Sequence, residues 1–369
     1  MTEYAPATVA VVGGGYAGIT VAKALDDAAD VILIEPKDAF VHNVAALRAL
    51  VDPSWLPRIF LPYDGLLGRG RVVHDRAVHV DPKRVLLASG DEIAADYIVL
   101  ATGSNYPFPA KTDGAATNEA HDRFRATHAA LAAAERVLLL GAGPVGLELA
   151  GEIKSVWPGK QVTIADLADD ILAGPFVPAL RNELRRQLAE RGVELHLGGP
   201  LSQDPPSQPG TPQTFTVTTH AGAELTADIW FRCYGVSPVT DYLADELAAA
   251  RTANGSLDVT EHLQVAGHDT VYAVGDIVHI DAKLARTAQA QAEVVAGNIR
   301  AAITGDADPT AYQPPPAGIF VPLGPDGGAG QLPGADDIAG AELVAEIKGR
   351  DLFTGHYAEL LGITSKISR

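Results

Sequence analysis

The sequence has very little of the residue that supports thiol chemistry. Cys233 is the single cysteine among 369 residues, so the chain can form neither an intrachain disulfide nor a redox-active Cys-x-x-Cys pair. This cysteine lies inside the run Trp-Phe-Arg-Cys-Tyr, which indicates a buried, inert thiol rather than a reactive one. If the protein moves electrons, a pair of protein thiols does not carry them.

Basic residues are also scarce. The chain has 28 Lys and Arg against 46 Asp and Glu, which gives a formal net charge of -18. Such a surface repels phosphate backbones and no strongly basic segment offsets it, so nucleic acid is excluded as a partner. No run of about 18 apolar residues is present, and the first residues lack the basic and apolar regions of a signal peptide. We therefore expect a cytoplasmic protein.

What the sequence does contain is an internal repeat. Residues 9–18 (VAVVGGGYAG) and 137–146 (VLLLGAGPVG) are both apolar runs that enter Gly-x-Gly-x-x-Gly. Each run predicts a buried strand, a tight turn and a helix. Each half later reaches Ala-Asp, a second apolar run and a glycine, at residues 95–103 and 227–235. A repeat of this kind predicts two Rossmann-like domains.

Between these landmarks, short β-rich runs alternate with alanine-rich stretches, which indicates parallel sheets covered by helices. The predicted fold class is α/β, with two Rossmann-like dinucleotide-binding domains and a small C-terminal α+β domain. Residues 201–213, rich in Pro, Ser and Gln, are predicted to form an exposed loop. After Thr310 the composition shifts towards proline and then glycine. The expected domains are 1–108 with 236–308, then 109–235, then 309–369.

The first glycine motif is predicted to bind the adenosine diphosphate part of a flavin dinucleotide. Gly13 permits the tight turn, Gly15 lets the backbone approach a pyrophosphate, and Gly18 allows close packing of the helix. The helix start offers free N–H groups and roughly +0.5 charge. Glu35 ends the next strand, where a carboxylate can bind both ribose hydroxyls. The expected contacts are Gly13, Gly15, Tyr16, Ala17, Gly18, Glu35 and Pro36.

Two later strands are predicted to end at the same cofactor. One runs into Ala101, Thr102 and Gly103, and the other runs into Gly275 and Asp276. A second domain inserted between them would let both strand ends reach one flavin, with Asp276 hydrogen-bonded to its ribityl or pyrophosphate part. A plain Gly-Asp turn also accounts for Asp276, and the residues alone leave both interpretations open.

The second glycine motif is predicted to bind NADH. Asp166 ends the strand that follows it, and a 2′-phosphate about 4 Å from this carboxylate would be repelled by about 4 kcal/mol before solvent screening. Asp169 and Asp170 add to the repulsion, and no Lys or Arg is close in sequence. The pattern therefore favours NADH over NADPH. The expected contacts are Gly141, Gly143, Pro144, Val145, Gly146, Asp166 and Gly235.

Taken together, these landmarks resemble the two-dinucleotide-domain flavoprotein reductases, a superfamily that includes disulfide reductases, ferredoxin reductases and type II NADH dehydrogenases. Longer and more specific segments are similar to the ferroptosis suppressor protein 1 family, the mitochondrion-associated homologues of apoptosis-inducing factor. The resemblance covers nearly the whole chain. The specific segments are residues 42–49, 261–265, 271–273, 326–331 and 350–353.

The resemblance implies that NADH reduces FAD and that a quinone receives the electrons. It implies FAD contacts from Arg48 and from the backbone of Val78. It also implies that Glu148, Lys348 and Phe353 lie near the isoalloxazine ring. From the residues alone, Arg48 and Lys348 would be solvated cations and Phe353 a packing aromatic. Glu148, close behind the third glycine, would either stabilise the helix dipole or face the nicotinamide, and both interpretations stay open.

Residues 288–292 (AQAQA) resemble the Ala-Gln-rich helix beside the quinone and the flavin in type II NADH dehydrogenases. This similarity implies a quinone contact from Gln289. The chain departs from the family at its start, which reads Met-Thr-Glu rather than the myristoylated Met-Gly, so no N-terminal lipid is expected. Tyr234 is a second departure, because threonine is common there. His42 and His262 are expected to be structural histidines.

Without a thiol pair, electrons are expected to leave directly from the reduced flavin. The acceptor is then a quinone, oxygen or a small redox protein, and no metal is expected. A ferredoxin- or rubredoxin-type reductase stays open as an alternative. A slow redox-sensing flavoprotein that changes its partner or forms a homodimer also stays open. Residues 341–361 carry an apolar face that is expected to pack on the flavin domain, with peripheral contact to the inner face of a membrane as the other interpretation.

Overall fold

The computed structural model of the chain describes residues 6–114, 116–280 and 282–363. The first part of the chain begins with a strand, a glycine turn and a helix, as the sequence predicted. Its elements are β1 (Thr8–Val12), α1 (Tyr16–Leu25), β2 (Asp30–Ile34), β3 (Ala39–Val41), α2 (Ala46–Val51), α3 (Leu56–Ile59), β4 (Phe60–Pro62), β5 (Arg71–Val73), β6 (Ala77–Asp81), β7 (Arg84–Leu87), β8 (Glu92–Ala94), β9 (Tyr97–Leu100) and β10 (Ser104–Asn105).

The middle part repeats the strand, turn and helix pattern. Its elements are α4 (Thr117–Ala133), β11 (Arg136–Leu140), α5 (Pro144–Val156), β12 (Gln161–Ala165), α6 (Pro178–Glu190), β13 (Val193–His196), β14 (Phe215–Thr218), β15 (Glu224–Ala227), β16 (Ile229–Arg232) and β17 (Ser237–Pro238). The last part contains α7 (Asp245–Ala248), β18 (Val271–Ala273), α8 (Ala285–Thr304), β19 (Ile319–Pro322), β20 (Gly328–Gln331), β21 (Ile338–Ala339), α9 (Ala341–Val344) and α10 (Thr354–Leu360), with a π-helical turn at Ala345–Gly349 between the last two helices.

The first sheet is parallel and has the order β18-β9-β1-β2-β5. Residues 9–12 of β1 are fully buried, as expected for a central parallel strand that is covered on both faces. Helices α1 and α8 pack against each other beside this sheet. Strand β18 pairs with β9 although the whole second sheet lies between them in sequence. The chain therefore leaves the first sheet, builds the second one and returns.

The second sheet is also parallel, with the order β13-β12-β11-β16. The antiparallel hairpin β14–β15 shares a small apolar core with β11 and with Trp230. The predicted loop at 201–213 is largely exposed, and the indole N–H of Trp230 anchors it by donating to the Ser207 carbonyl at 3.0 Å. The two parallel sheets confirm the predicted α/β class, whereas the limits of the three domains stay predictions.

The C-terminal unit is a three-stranded antiparallel sheet, β19-β20-β21, followed by short helices. It packs on α5 so closely that a Cβ at Gly151 would lie 2.3 Å from the Leu323 Cα atom. The tail after β21 buries Leu352 and Leu361, while Phe353 stays partly exposed. In the described ranges, no helix combines the length and the apolar character that a membrane span requires.

Candidate functional site

The first glycine turn leaves no room for side chains except where a ligand would lie. Gly13 has φ +107°, and a Cβ there would lie 2.5 Å from the Ala101 carbonyl oxygen. A Cβ at Gly18 would lie 1.8 Å from the Gly13 carbonyl oxygen. At Gly15, by contrast, a Cβ would meet nothing within 4 Å. The protein thus packs tightly behind the turn and leaves open space in front of the start of α1, where a pyrophosphate binds in folds of this kind.

Glu35 is anchored at the end of β2. Its Oε2 accepts the Gly14 N–H at 2.6 Å, and its Oε1 accepts the Lys37 N–H at 3.0 Å. The Tyr63 hydroxyl donates to the Gly14 carbonyl at 2.9 Å and closes the rear of the turn. Because each carboxylate oxygen has more than one acceptor position, the fixed Glu35 can still accept hydrogen bonds from two ribose hydroxyls.

A cavity of about 800 Å³ lies over this turn. It brings together several residues that the sequence assigned to one dinucleotide, namely Gly13, Glu35, Pro36, Val78 and Thr102. Gly235, which the sequence placed in the second repeat, also lines this first cavity. The other predicted contacts, Gly15, Tyr16, Ala17, Gly18, Ala101, Gly103, Gly275 and Asp276, lie on the elements around it rather than among its lining residues.

Asp276 is part of a polar cluster instead of a solvated turn. The Ser104 hydroxyl donates to its Oδ2 at 2.5 Å, and the Lys111 Nζ lies 3.1 Å from the same oxygen. Lys283 donates to the Asp276 backbone carbonyl. Burial raises the pKa of Asp276, but Lys111, the Ser104 hydroxyl and Lys283 outweigh burial, so the net shift is downward. Asp276 is therefore an ionised carboxylate at neutral pH. Sequence reasoning missed both lysines.

Gln291 was also missed. Its Oε1 accepts the Gly275 N–H at 2.7 Å and fixes the turn that carries Asp276. Gln289, which the resemblance assigned to the quinone, lies one half-turn earlier on α8. Its Oε1 accepts the Tyr357 hydroxyl at 3.0 Å, and its Nε2 lies 3.4 Å from His356 Nε2. The two glutamines of α8 therefore have different partners. Gln291 holds the turn that carries Asp276, and Gln289 contacts the C-terminal unit.

The second glycine turn repeats the first. Gly141 has φ +115°, and a Cβ there would lie 2.7 Å from the Cys233 carbonyl oxygen. A Cβ at Gly146 would lie 1.9 Å from the Gly141 carbonyl oxygen, and a Cβ at Gly143 would meet nothing within 4 Å. Helix α5 begins directly after this open position with Pro144, followed by the partly buried Val145. The geometry again suits a pyrophosphate at a helix start.

Backbone N–H groups anchor the carboxylate of Asp166 in the same way as that of Glu35. Its Oδ2 accepts the Ala142 N–H at 2.5 Å, and its Oδ1 accepts the Ala168 N–H at 2.8 Å. A cavity of about 310 Å³ extends from this carboxylate past the exposed Leu167 and Tyr234. Arg185, which is distant in sequence, pairs with Asp170 at 2.7 Å. No basic residue is close to the acidic cluster in sequence, but α6 brings this arginine to Asp170 in the fold.

Glu148 lies on α5 and faces the C-terminal unit. Lys348 donates to its Oε1 at 2.8 Å and to the Phe320 carbonyl at 3.0 Å. The side chains of Glu148 and Lys348 are only 12% and 15% exposed. Burial raises the pKa of Glu148, and the ammonium of Lys348 opposes that shift without cancelling it. Lys348 is therefore not the solvated cation that the residue alone suggested.

Arg48 is buried and uses its donors inside the protein. Its Nε and one terminal nitrogen form a bidentate pair with Glu152, at 2.6 and 2.7 Å. The same terminal nitrogen donates to the Gly349 carbonyl at 2.8 Å, and the guanidinium lies 4.9 Å from the centre of the Trp55 ring. Arg48 thus joins α2, α5 and the π-helical turn. It does not line the cavity, and its contact with FAD stays a prediction.

Tyr16, at the start of α1, belongs to an aromatic cluster with Phe40, His42 and Tyr357. Its hydroxyl lies 3.1 Å from His42 Nδ1 and accepts the Val44 N–H at 3.0 Å. His42 Nε2 lies 2.6 Å from the Leu352 carbonyl oxygen. Burial lowers the pKa of His42 to about 4, so this histidine is neutral and donates to the C-terminal unit. This agrees with its expected structural role.

The segment after this carbonyl has unusual backbone geometry. Leu352 and Phe353 have φ values of 52° and 63°, a left-handed conformation that costs energy for residues with side chains. Phe353 is nevertheless 36% exposed, so it is not the packing aromatic that the residue alone suggested. Cys233 is buried, and burial raises its pKa to about 12, which confirms an inert thiol.

Comparison with known proteins agrees with this architecture. The family described as pyridine nucleotide-disulphide oxidoreductase matches residues 7–292. Ferroptosis suppressor protein 1 of Taeniopygia guttata is 32% identical over 362 residues, which cover 96% of each chain. Apoptosis-inducing factor homolog B of Dictyostelium discoideum is 28% identical and also covers 96% of each chain.

Among solved structures, the sulfide:quinone oxidoreductase of Aquifex aeolicus superimposes with a TM-score of 0.73 at 17% identity, covering 98% of this chain and 93% of that one. At this identity the likeness shows the fold. The family match and the two glycine turns make the chain a flavin-dependent NAD(P)H oxidoreductase that uses FAD and a pyridine nucleotide. The chain belongs to the pyridine nucleotide-disulphide oxidoreductase family and, within it, to the ferroptosis suppressor protein 1 family.

Proposed function

We propose that the protein is an NADH:quinone oxidoreductase, in which a hydride passes from NADH to FAD and the electrons pass to a quinone or a similar small acceptor. The observation that carries the proposal is the pair of matched nucleotide sites. Each has an open helix start behind a glycine turn and an anchored carboxylate, Glu35 in one site and Asp166 in the other. Two cofactors held by two rigid sheets can be oriented for hydride transfer without a protein nucleophile.

The first site, within 1–108 and 236–308, holds FAD in this proposal. Glu35 binds the ribose, the start of α1 binds the pyrophosphate, and Asp276 accepts a hydrogen bond from the ribityl chain. When bound, FAD accepts a hydride at its N5 atom and releases the electrons to the acceptor. The remaining proposed contacts are Gly13, Gly15, Tyr16, Ala17, Gly18, Pro36, Arg48, Val78, Ala101, Thr102, Gly103, Gly235 and Gly275.

The second site, within 109–235, holds NADH. The Asp166 carboxylate binds the adenosine ribose and repels a 2′-phosphate, which favours NADH over NADPH. Glu148 lies about one turn after the start of α5, and Lys348 donates a hydrogen bond to it. We assign this pair to the nicotinamide end of the site. The remaining proposed contacts are Gly141, Gly143, Pro144, Val145 and Gly146.

A small acceptor is favoured over a relay through protein thiols because Cys233 is buried and unreactive. The name of the Aquifex neighbour, a sulfide:quinone oxidoreductase, supports a quinone. Gln289 on α8 contacts Tyr357 on α10, and the exposed Phe353 directly precedes α10, within the proposed C-terminal domain 309–369. We assign the acceptor to this side. A ferredoxin-type partner is disfavoured, because the net charge of -18 offers no basic docking surface for an acidic carrier.

A quinone acceptor also bears on location. We propose a cytoplasmic protein that makes peripheral contact with the inner face of the membrane. Leu332, Leu343 and Phe353 support this, because they are large apolar side chains that stay 46%, 41% and 36% exposed. Co-sedimentation with liposomes tests the contact, and Phe353→Ser should lower the bound fraction. Equal sedimentation of the variant and the parent protein would remove this part of the proposal.

The central test begins with the purified protein. It should be yellow, and anaerobic NADH should bleach it within one turnover. A short-chain ubiquinone analogue should then support steady-state NADH oxidation faster than oxygen or ferredoxin does. Faster turnover with ferredoxin would make the protein a carrier reductase. A single slow reduction with a change in oligomeric state, read by light scattering, would make it a redox sensor. Colourless protein that binds no added FAD would overturn the proposal altogether.

A further inference from the structure

Two lysines contact Asp276 beside one end of the first cavity, one at its carboxylate and one at its backbone carbonyl. Lys111 donates to the Ser104 carbonyl and to the Ser104 hydroxyl, both at 2.8 Å, and lies 3.1 Å from Asp276 Oδ2. Lys283 donates to the backbone carbonyl of Asp276. We call these four residues the Lys111 cluster. With one carboxylate and two ammonium groups, the cluster has a net positive charge of about one when all three groups are ionised.

The sheet order locates the cluster relative to a bound dinucleotide. Asp276 follows β18, Ser104 follows β9, Gly13 follows β1 and Glu35 follows β2, and these strands are consecutive neighbours in the sheet. With strands about 4.8 Å apart, Asp276 and Glu35 lie on the order of 14 Å from each other along the carboxyl edge. A dinucleotide whose ribose is at Glu35 and whose pyrophosphate is at the start of α1 therefore extends its other half towards Lys111.

Three cations line the cavity among the described residues, and they divide between its two ends. Lys37 follows Glu35 by two residues, and Arg76 lies three residues after Val73, which pairs with Ile34 at the end of β2, so both belong to the adenosine end. Lys111 is the lining cation at the Ser104 end. Thr112 lies beside it in the cavity wall, and its hydroxyl has no hydrogen-bond partner among the described residues. Among the cations that line the cavity, Lys111 is therefore the one at the end that the flavin half would occupy.

Hydride transfer creates a charge that this ammonium group can stabilise. The C4–H bond of the nicotinamide breaks with its electron pair, and an N5–H bond forms on the flavin. NADH is oxidised to NAD⁺, and the flavin gains two electrons and one proton. The flavin is left with one negative charge, which lies over its N1 and C2 carbonyl atoms. No proton is taken from solvent in this step, so the surrounding protein has to stabilise that charge.

We propose that Lys111, supported by Lys283 and positioned by Ser104 and Asp276, is the cation that stabilises the negative charge of the reduced flavin. This inference rests on FAD occupying the first cavity. The ion pair with Asp276 serves positioning, because the carboxylate neutralises only one of the two ammonium groups. Removing the charge of Lys111 should make the bound flavin harder to reduce while the fold and the second nucleotide site stay unchanged.

Sulfite binding tests the inference without NADH or an acceptor. Sulfite adds its lone pair to flavin N5, bleaches the flavin and leaves the same negative charge on the ring. Lys111→Met and Lys111→Gln should each raise the sulfite dissociation constant at least about tenfold, because a nearby unit charge is lost. Lys111→Arg keeps the charge and should stay within about threefold of the parent protein. The midpoint potential of bound FAD should fall in the two neutral variants.

Lys37→Met is the matched control, because it removes the same charge from the same cavity at the adenosine end. Its sulfite dissociation constant should equal that of the parent protein. If the sulfite dissociation constant rose equally in Lys37→Met and Lys111→Met, the overall charge of the cavity would explain the effect, and the inference would be overturned. Neutral Lys111 variants that retain FAD and bind sulfite as tightly as the parent protein would also overturn the inference. Neutral variants that cannot be reconstituted with FAD would assign Lys111 to cofactor binding instead. Parent protein without FAD would refute the proposed function itself.

Discussion

The turn at Gly13 and the turn at Gly141 share their geometry and differ in their surroundings. Their φ values are +107° and +115°, and in both the third glycine would place a Cβ less than 2 Å from a carbonyl oxygen. The helix after the first turn, α1, packs mainly on α8 beside its own sheet. The helix after the second turn, α5, is held by Arg48 from the first part and by the C-terminal unit.

This difference separates two tasks. In the proposed assignment the first turn holds a cofactor that stays bound, and a helix packed within its own unit is sufficient for that. In the same assignment the second turn binds a substrate that enters and leaves, and it has to return that substrate to the same position relative to the flavin. Contacts to α5 from the first part of the chain and from the C-terminal unit would fix this position, because hydride transfer is sensitive to small errors of distance and angle. Substitutions at either turn test whether the two turns differ in this way.

The largest expected effect comes from breaking the buried pair that holds α5. Arg48→Met leaves the Glu152 carboxylate buried without a partner, and the free energy of unfolding should fall by about 3–5 kcal/mol. Urea unfolding measures it. The side chains of Arg48 and Glu152 are only 7% and 3% exposed. Replacing both residues with Met should recover most of the loss.

Arg84→Met is the matched control for this change. Arg84 pairs with Asp81 at 2.7 Å, but its side chain is 57% exposed, so the cost should stay below about 1 kcal/mol. If Arg48→Met and Arg84→Met cost the same, the contact between α2 and α5 would not be a special feature of the second turn.

Alanine substitutions at the glycines of the two turns distinguish positions needed for packing from positions needed for ligand binding. Gly18→Ala and Gly146→Ala force a Cβ against a carbonyl and should each cost about 1–3 kcal/mol of stability. Gly15→Ala and Gly143→Ala, whose Cβ positions are open, should cost less than about 1 kcal/mol.

Ligand titration then assigns each turn. Gly15→Ala should weaken FAD and spare NADH, whereas Gly143→Ala should weaken NADH and spare FAD. Loss of FAD from Gly143→Ala, with normal NADH binding, would reverse the assignment of the two sites.

His42 tests the aromatic cluster at the first turn through pH. Burial lowers its pKa to about 4, below the usual value near 6.5. The unfolded chain therefore binds a proton between about pH 6.5 and 4 that the folded chain does not bind. The free energy of unfolding contributed by His42 is present above pH 6.5 and is lost as the pH falls towards 4.

Between pH 7 and 4.5 the parent protein should lose about 2 kcal/mol more stability than His42→Gln, which keeps a donor for the Leu352 carbonyl. Urea unfolding at both pH values gives this difference, and the carboxylates common to the two proteins cancel. Parallel stability curves for the two proteins would show that His42 titrates normally in the folded state.

The smallest expected effect concerns the choice of nucleotide at the second turn. Asp166→Ser should lower the ratio of kcat/KM for NADH to that for NADPH about tenfold, roughly 1.4 kcal/mol after solvent screening. Asp170→Asn is the control and should change the ratio less, because Arg185 already pairs with Asp170. The flavin content should not change in either variant. A larger effect of Asp170→Asn than of Asp166→Ser would show that the 2′-phosphate binds closer to Asp170 than to Asp166.

The sequence predicted the parts of the site that obey local rules. The glycines at both turns leave a pattern because positive φ and close backbone contacts exclude other residues. Glu35 and Asp166 could be predicted because strand ends fix their positions. The structure anchors both carboxylates in the same way, by two backbone N–H groups each.

The pairings across the fold could not be predicted in this way. Arg48 and Glu152 are 104 positions apart, and Lys348 and Glu148 are 200 positions apart. Family resemblance singled out Arg48 without revealing its partner. Lys111 carried no signal at all, because a lysine in a loop is usually solvated. Its role depends on sheet order, which places Ser104 and Asp276 on adjacent strands.

Gly151 has a consequence for how the molecule is assembled. A Cβ at this position of α5 would lie 2.3 Å from the Leu323 Cα, so backbone meets backbone with no side chain between them. The segment that covers α5 is translated long after α5 itself. Until it emerges from the ribosome, the nascent chain carries an uncovered groove on that helix. Completion of the packing around the second glycine turn therefore waits for the C-terminal unit, whereas the first glycine turn needs only α8 and β18 to be in place.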